Sequence, residues 1–71
     1  MVGIFRTNIS TQLEKNSVIQ AICANFNVST CSIDMEDCDK VLRIVAQQAP
    51  IEEKLVINFL QQMGYQCDIL D

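Results

Sequence analysis

The sequence predicts an α+β fold: a ferredoxin-like βαββαβ sandwich, with a four-stranded antiparallel sheet and two helices on one of its faces. Three observations carry this prediction. The 71 residues contain two segments of helical spacing and four of extended character, in the order βαββαβ. A short polar connection joins the second and third strands and makes them a hairpin. Right-handed crossovers in the two β-α-β halves then place strands one and three at the centre and strands two and four at the edges.

The elements follow in order. Residues 2–7 mix small, β-branched and aromatic side chains and form the first strand. Thr11 followed by Glu14 is a capping box, in which the hydroxyl and the carboxylate each satisfy a free backbone N–H of the first helical turn. The helix runs from there to Asn25 or Phe26. Val18, Ala21, Ile22 and Phe26 fall at helical spacing and form its buried stripe, with Ile19 and Cys23 beside it. Asn27 can take the left-handed conformation that ends a helix. Val28 to Met35 alternates, with Cys31, Ile33 and Met35 on one face and Ser32 and Asp34 on the other. Glu36-Asp37-Cys38-Asp39 is a polar turn, and Lys40 to Ala46 is the third strand. Pro50 suits the first position of the second helix, where its missing N–H costs nothing. Glu52 and Glu53 complement the dipole of that helix. Leu55, Val56, Phe59, Leu60 and Met63 are its apolar face, and Gly64 is its stop. Tyr65 to Leu70 is the last strand.

Composition narrows the function. The 71 residues make one domain, 1–71, with a single core. Hydrophobic residues at 49% and charged residues at 20% mark a globular chain. Nine acidic residues against five basic ones leave no basic face for nucleic acid or an anionic membrane. The third strand, Lys40 to Val45, also lacks the aromatics on which an RNA-binding sheet of this topology stacks bases. No histidine is present to act as general base or metal ligand. Ser10, Ser17, Ser29 and Ser32 have no base in their sequence context, and the acids fall at turns, helix starts and termini. No enzyme activity and no cofactor are expected.

No apolar run approaches the roughly 20 residues of a membrane span. Met1 to Arg6 lacks the basic start of a secretion signal. The expectation is a cytoplasmic protein, in which Cys23, Cys31, Cys38 and Cys67 are thiols. None of them has the C-x-x-C spacing of a soft-metal site. Cys38, in the turn, is the weak metal-ligand candidate. The acidic turn around it does not match a calcium loop: counting from Asp37, the central glycine is missing and position twelve is Gln48.

The open face of the sheet is what folding alone explains least. With Phe5, Ile33, Leu42 and Ile44 turned to the helices, alternation sends Val2, Ile4, Arg6, Val41, Arg43 and Val45 outward. This apolar strip with two arginines, beside Ser32 and Asp34, suits either an Arg–Asp cross-strand pair on an ordinary surface or a contact face. Its partner would be a second copy of the chain or another protein.

The layout resembles the heavy-metal-associated domain family, which includes copper chaperones and the N-terminal domains of metal-pumping ATPases. The resemblance spans nearly the whole chain. It rests on the capped first helix, the run Val28-Ser29-Thr30-Cys31-Ser32-Ile33-Asp34, the hairpin into Lys40-Val41-Leu42-Arg43-Ile44, the helix start Pro50-Ile51-Glu52-Glu53, and Gly64-Tyr65 before the last strand. The resemblance implies the sandwich fold, and a Tyr65 packed near the loop after strand one. In that family the loop carries Met-x-Cys-x-x-Cys, whose thiolates hold a soft ion. Here it is Thr7-Asn8-Ile9-Ser10-Thr11, without sulfur. Of the family's functional positions only Tyr65 carries over. The expected function is a non-enzymatic binding module with a degenerate metal site. The alternative is a soft-metal carrier with ligands drawn from the four cysteines and three methionines. A ligand-regulated domain of ACT-like topology shares the element order but wants a glycine-bearing loop, and no glycine lies between Gly3 and Gly64.

Overall fold

The computed structural model describes residues 2–48 and 50–70. Its elements are β1 (Val2–Thr7), α1 (Gln12–Asn25), β2 (Val28–Asp34), β3 (Val41–Ala46), α2 (Glu53–Gln62) and β4 (Cys67–Ile69). The strands form one antiparallel sheet in the order β2-β3-β1-β4. β1 and β3 are central and β2 and β4 are the edges, as the element order predicts.

Alternation decides which face is buried. Phe5, Leu42 and Ile44 have no exposed surface, and Ile33 and Cys67 are nearly as enclosed. They share one face of the sheet: Phe5 lies opposite Leu42, which lies opposite Ile33, and Thr7 lies opposite Cys67. Val18 and Ile22 of α1 and Val56 and Leu60 of α2 complete the same core. Both helices therefore cover that face. Fully burying one such side chain is worth about 1.5–3 kcal/mol, so this cluster is the main source of stability.

The α1 start is the predicted capping box. Thr11 Oγ1 accepts from the Glu14 N–H at 3.1 Å, and Glu14 Oε1 accepts from the Thr11 N–H at 3.1 Å. The same Oε1 also takes the Ser10 N–H and the Ser10 hydroxyl, each at 3.0 Å. The end of α2 is as regular. The Tyr65 N–H donates to the Leu60 carbonyl, the Gly64 N–H donates to the Gln61 carbonyl, and Gly64 has φ +97°. That is the left-handed glycine stop, with both of its bonds made.

The structure departs from the sequence expectation in four places. α1 ends in extended backbone at Phe26, φ −127° and ψ 149°, and Asn27 does not take a positive φ. Pro50 is not the first residue of α2. The helix begins at Glu53, and Glu52 sits outside the helical region with φ −81° and ψ 89°. The cause is Ile51, which packs on the core instead of starting a turn. It lies over Gly3, where a Cβ would stand 3.1 Å from Ile51 Cδ1 and 3.0 Å from the Phe5 ring. The apolar face of α2 is also narrower than predicted, because Leu55 and Met63 are exposed and only Val56 and Leu60 are enclosed. Finally, the last strand is the three residues Cys67–Ile69 and not the six of Tyr65 to Leu70.

Candidate functional site

The open face carries the residues that alternation assigns to it. Val2 lies opposite Val45 and Ile4 opposite Arg43 across the two central strands. On the β2 side, Thr30, Ser32 and Asp34 lie opposite Val45, Arg43 and Val41, and on the β4 side Asp68 lies opposite Arg6. Val2 is 51% exposed, whereas Ile4, Val41 and Val45 are half-buried. The two central strands thus carry four aliphatics interrupted by Arg43 and followed by Arg6, with Asp34 and Asp68 on the edge strands beside them.

The charges do not pair across strands as the sequence suggests. Among the described residues the one ion pair is Arg6 Nε to Asp39 Oδ1 at 3.5 Å, from β1 to the β2–β3 turn. Both partners are well exposed, so its worth is under about 1 kcal/mol. Arg43 stands instead at a shallow depression shared with Ser32, Asp34, Asp37 and Val41.

The loop after β1, where the resembling family holds its metal, has a structural task for each residue. Asn8 Oδ1 accepts the Gln66 N–H at 2.9 Å and ties the loop to the start of β4. Ile9 has no exposed surface and belongs to the core. Ser10 and Thr11 are held by Glu14. These bonds to the charged form hold the Glu14 carboxyl below its ordinary range; the Ser10 N–H contributes most, then the Ser10 hydroxyl. Tyr65 is half-buried against the core.

The four thiols sit on separate elements: Cys23 on α1, Cys31 on β2, Cys38 in the turn and Cys67 on β4. β2 and β4 are opposite edges, three strand spacings or about 14 Å apart. Burial pushes the Cys31 thiol up to about 11, with a smaller contribution from Cys23. Burial likewise pushes Cys67 up to about 12, with Asp68 adding to it. Both are protonated at neutral pH and are poor nucleophiles and ligands. Cys38 is exposed, and its sulfur shares a 4.8 Å cluster with oxygens of Asp37 and Asp39. Asp37 Oδ1 already accepts the Asp39 N–H at 2.8 Å, and Asp39 already faces Arg6. The carboxylates of this turn are thus already engaged by its own backbone and by Arg6.

Sequence reasoning passed over Ile9 as a core residue and Gly3 as a close-packing site. Ile9 stands alone among polar residues, with no periodic signal around it. Gly3 is recognised only through its tertiary neighbours Phe5 and Ile51. No helix among the described residues is long and apolar enough to cross a membrane. No family model, curated protein or solved structure matches the chain.

Proposed function

We propose that this chain is a ferredoxin-like domain of the heavy-metal-associated type, with a degenerate metal loop, and that it works as a non-enzymatic interaction module through the open sheet face. The observation that carries this reading is the strip of Val2, Ile4, Val41 and Val45 on adjacent central strands. The loop supports it from the other side, because Asn8, Ile9, Ser10 and Thr11 are committed to the fold and offer a soft ion no thiolate.

The occupant that suits the face is a second copy of the chain. Arg6 and Arg43 are flanked on the same face by Asp68 and Asp34, so a two-fold axis can set arginine against aspartate while the aliphatic strips meet. Each aliphatic contributes at most about 1.5–3 kcal/mol, and three of the four are already half-covered. Association entropy offsets much of the remainder, which leaves micromolar affinity. Sedimentation equilibrium of the protein and of Val41→Lys tests this. The expected result is a micromolar dimer weakened at least about tenfold by the buried lysine. A wild type that stays monomeric at high concentration overturns the second-copy form.

Soft-metal carriage is the weaker reading. Its two exposed thiols, Cys23 on α1 and Cys38 in the β2–β3 turn, stand on separate elements, so a shared ion would have to draw on two chains. A Cu(I) titration against a chelator, with Cys38→Ser beside the wild type, tests it. A tight one-to-one complex in the monomer would replace the interaction reading with the carrier.

A further inference from the structure

A second feature lies away from the open face. Where α1 ends and α2 begins, the helix layer is parted by a cleft of about 210 Å³. Ile44 and Val56 form its buried floor, and Phe26, Val28, Ala46 and Leu55 form its walls. Asn25, Asn27 and Glu52, all exposed, stand at its mouth. A cavity of about 150 Å³ lined by aliphatic and aromatic side chains stays dry and takes up benzene. This cleft is larger, so a single ring with a short chain fits it.

The mouth selects charge. α1 ends here without a basic residue in its last turn, so its negative pole lies uncompensated at this end of the cleft. Glu52 adds a full negative charge, and Glu53 follows it. Of the two only Glu52 lines the cleft, and its charge exceeds the positive pole of α2, about half an elementary charge. No lysine or arginine lines the cleft among the described residues. A carboxylate ligand would meet the Glu52 carboxylate and the negative pole of α1 against only the weaker pole of α2, whereas an ammonium would be attracted by both.

We infer that this cleft is a binding site for a small hydrophobic amine, its ring on Ile44 and Val56 and its ammonium at the mouth beside Glu52. This inference is independent of the open-face reading, because the two surfaces lie on opposite sides of the sheet.

The probes are 2-phenylethylammonium and 3-phenylpropionate, which share a ring and differ in charge. Each is titrated into methyl-labelled protein and followed by NMR. The expected result is saturable shifts centred on the methyls of Val28, Ile44, Leu55 and Val56, with the amine binding at least about fivefold more tightly than the acid. Glu52→Gln, an exposed substitution that leaves the core intact, is expected to cut that preference by about threefold. Leu55→Ala, also at an exposed position, is expected to weaken both probes. Shifts that never saturate, or that centre elsewhere, overturn the site. Equal affinity for amine and acid overturns its assigned ligand class.

Discussion

Thr7 Oγ1 donates to the Lys40 carbonyl at 2.7 Å, across 33 positions of chain. Lys40 is the one non-glycine residue of positive φ among the described residues, at 45°, and the Thr7 N–H also binds the adjacent Asp39 carbonyl at 3.0 Å. A left-handed lysine costs roughly 1–2 kcal/mol, and it persists only where surrounding bonds over-determine it. Thr7, 7% exposed, supplies these bonds from the end of the central strand. The hairpin turn is thereby clamped to β1 and not merely to its own two strands.

Thr7→Val is therefore expected to lower stability by about 1–3 kcal/mol, because the isosteric methyl leaves the Lys40 carbonyl without its partner. Thr7→Ser keeps the hydroxyl and should lose less. Urea denaturation of the three proteins checks both. Equal midpoints for the valine variant and the wild type would remove the clamp from the account.

Ile9→Ala is expected to cost about 2–5 kcal/mol, since it empties a fully enclosed site. A domain of this length has only about 4–10 kcal/mol in total, so the variant should be close to half unfolded or beyond in mild denaturant. Its neighbours Ser10→Ala and Asn8→Ala should cost less. Thermal melts by circular dichroism separate the three.

The thiols should fall into two classes. Cys38 and Cys23 are exposed and should alkylate rapidly at mildly alkaline pH, whereas Cys31 and Cys67 should be slow. The pH dependence has a definite sign. With folded values raised to about 11 and about 12 from the ordinary 9.0, both thiols favour the fold while protonated. Stability is full below pH 9, where the unfolded chain begins to ionise, and falls as pH rises toward 12. Cys67→Ala should flatten part of that alkaline loss, which denaturant titrations at several pH values would reveal.

Glu14 has the opposite sign. Its carboxyl is lowered from the ordinary 4.5, so the charged form supports the fold. The contribution is present above pH 4.5 and fades as pH falls through the lower folded value. Glu14→Gln should loosen the Ser10 and Thr11 amides at neutral pH and abolish their acid response. Amide hydrogen exchange at those two residues reads the effect directly.

The parts of this fold legible in the sequence are those whose cause is local. The Thr11–Glu14 box, the Gly64 stop and the alternation of Ser32, Ile33 and Asp34 each depend on neighbours a few positions away. The same alternation was enough to place Val2, Ile4, Arg6, Val41, Arg43 and Val45 on the open face. What escaped depends on distant partners. The first turn of α2 yields to Ile51 because Ile51 can pack over Gly3, some 48 positions earlier in the chain. Asp39 reaches Arg6 only because the turn folds over the end of β1. Leu55 belongs by spacing to the apolar face of α2, yet it stands at the wall of the cleft. Spacing gives a direction on a helix but not the gap between two helices.

The strand order has a consequence for assembly of the chain in time. β1 lies between β3 and β4, with Phe5 opposite both Leu42 and Ile69. β1 is thus made before both of its partners and waits for them. Until then its only options are non-native ones, while the β2–β3 hairpin can close early from local contacts. Such non-local closure is slow relative to a helical bundle of equal size. β4, only three residues long and last in the chain order, should dock after the rate-limiting closure of β1 on β3, so substitutions in β4 are expected to accelerate unfolding more than they retard folding.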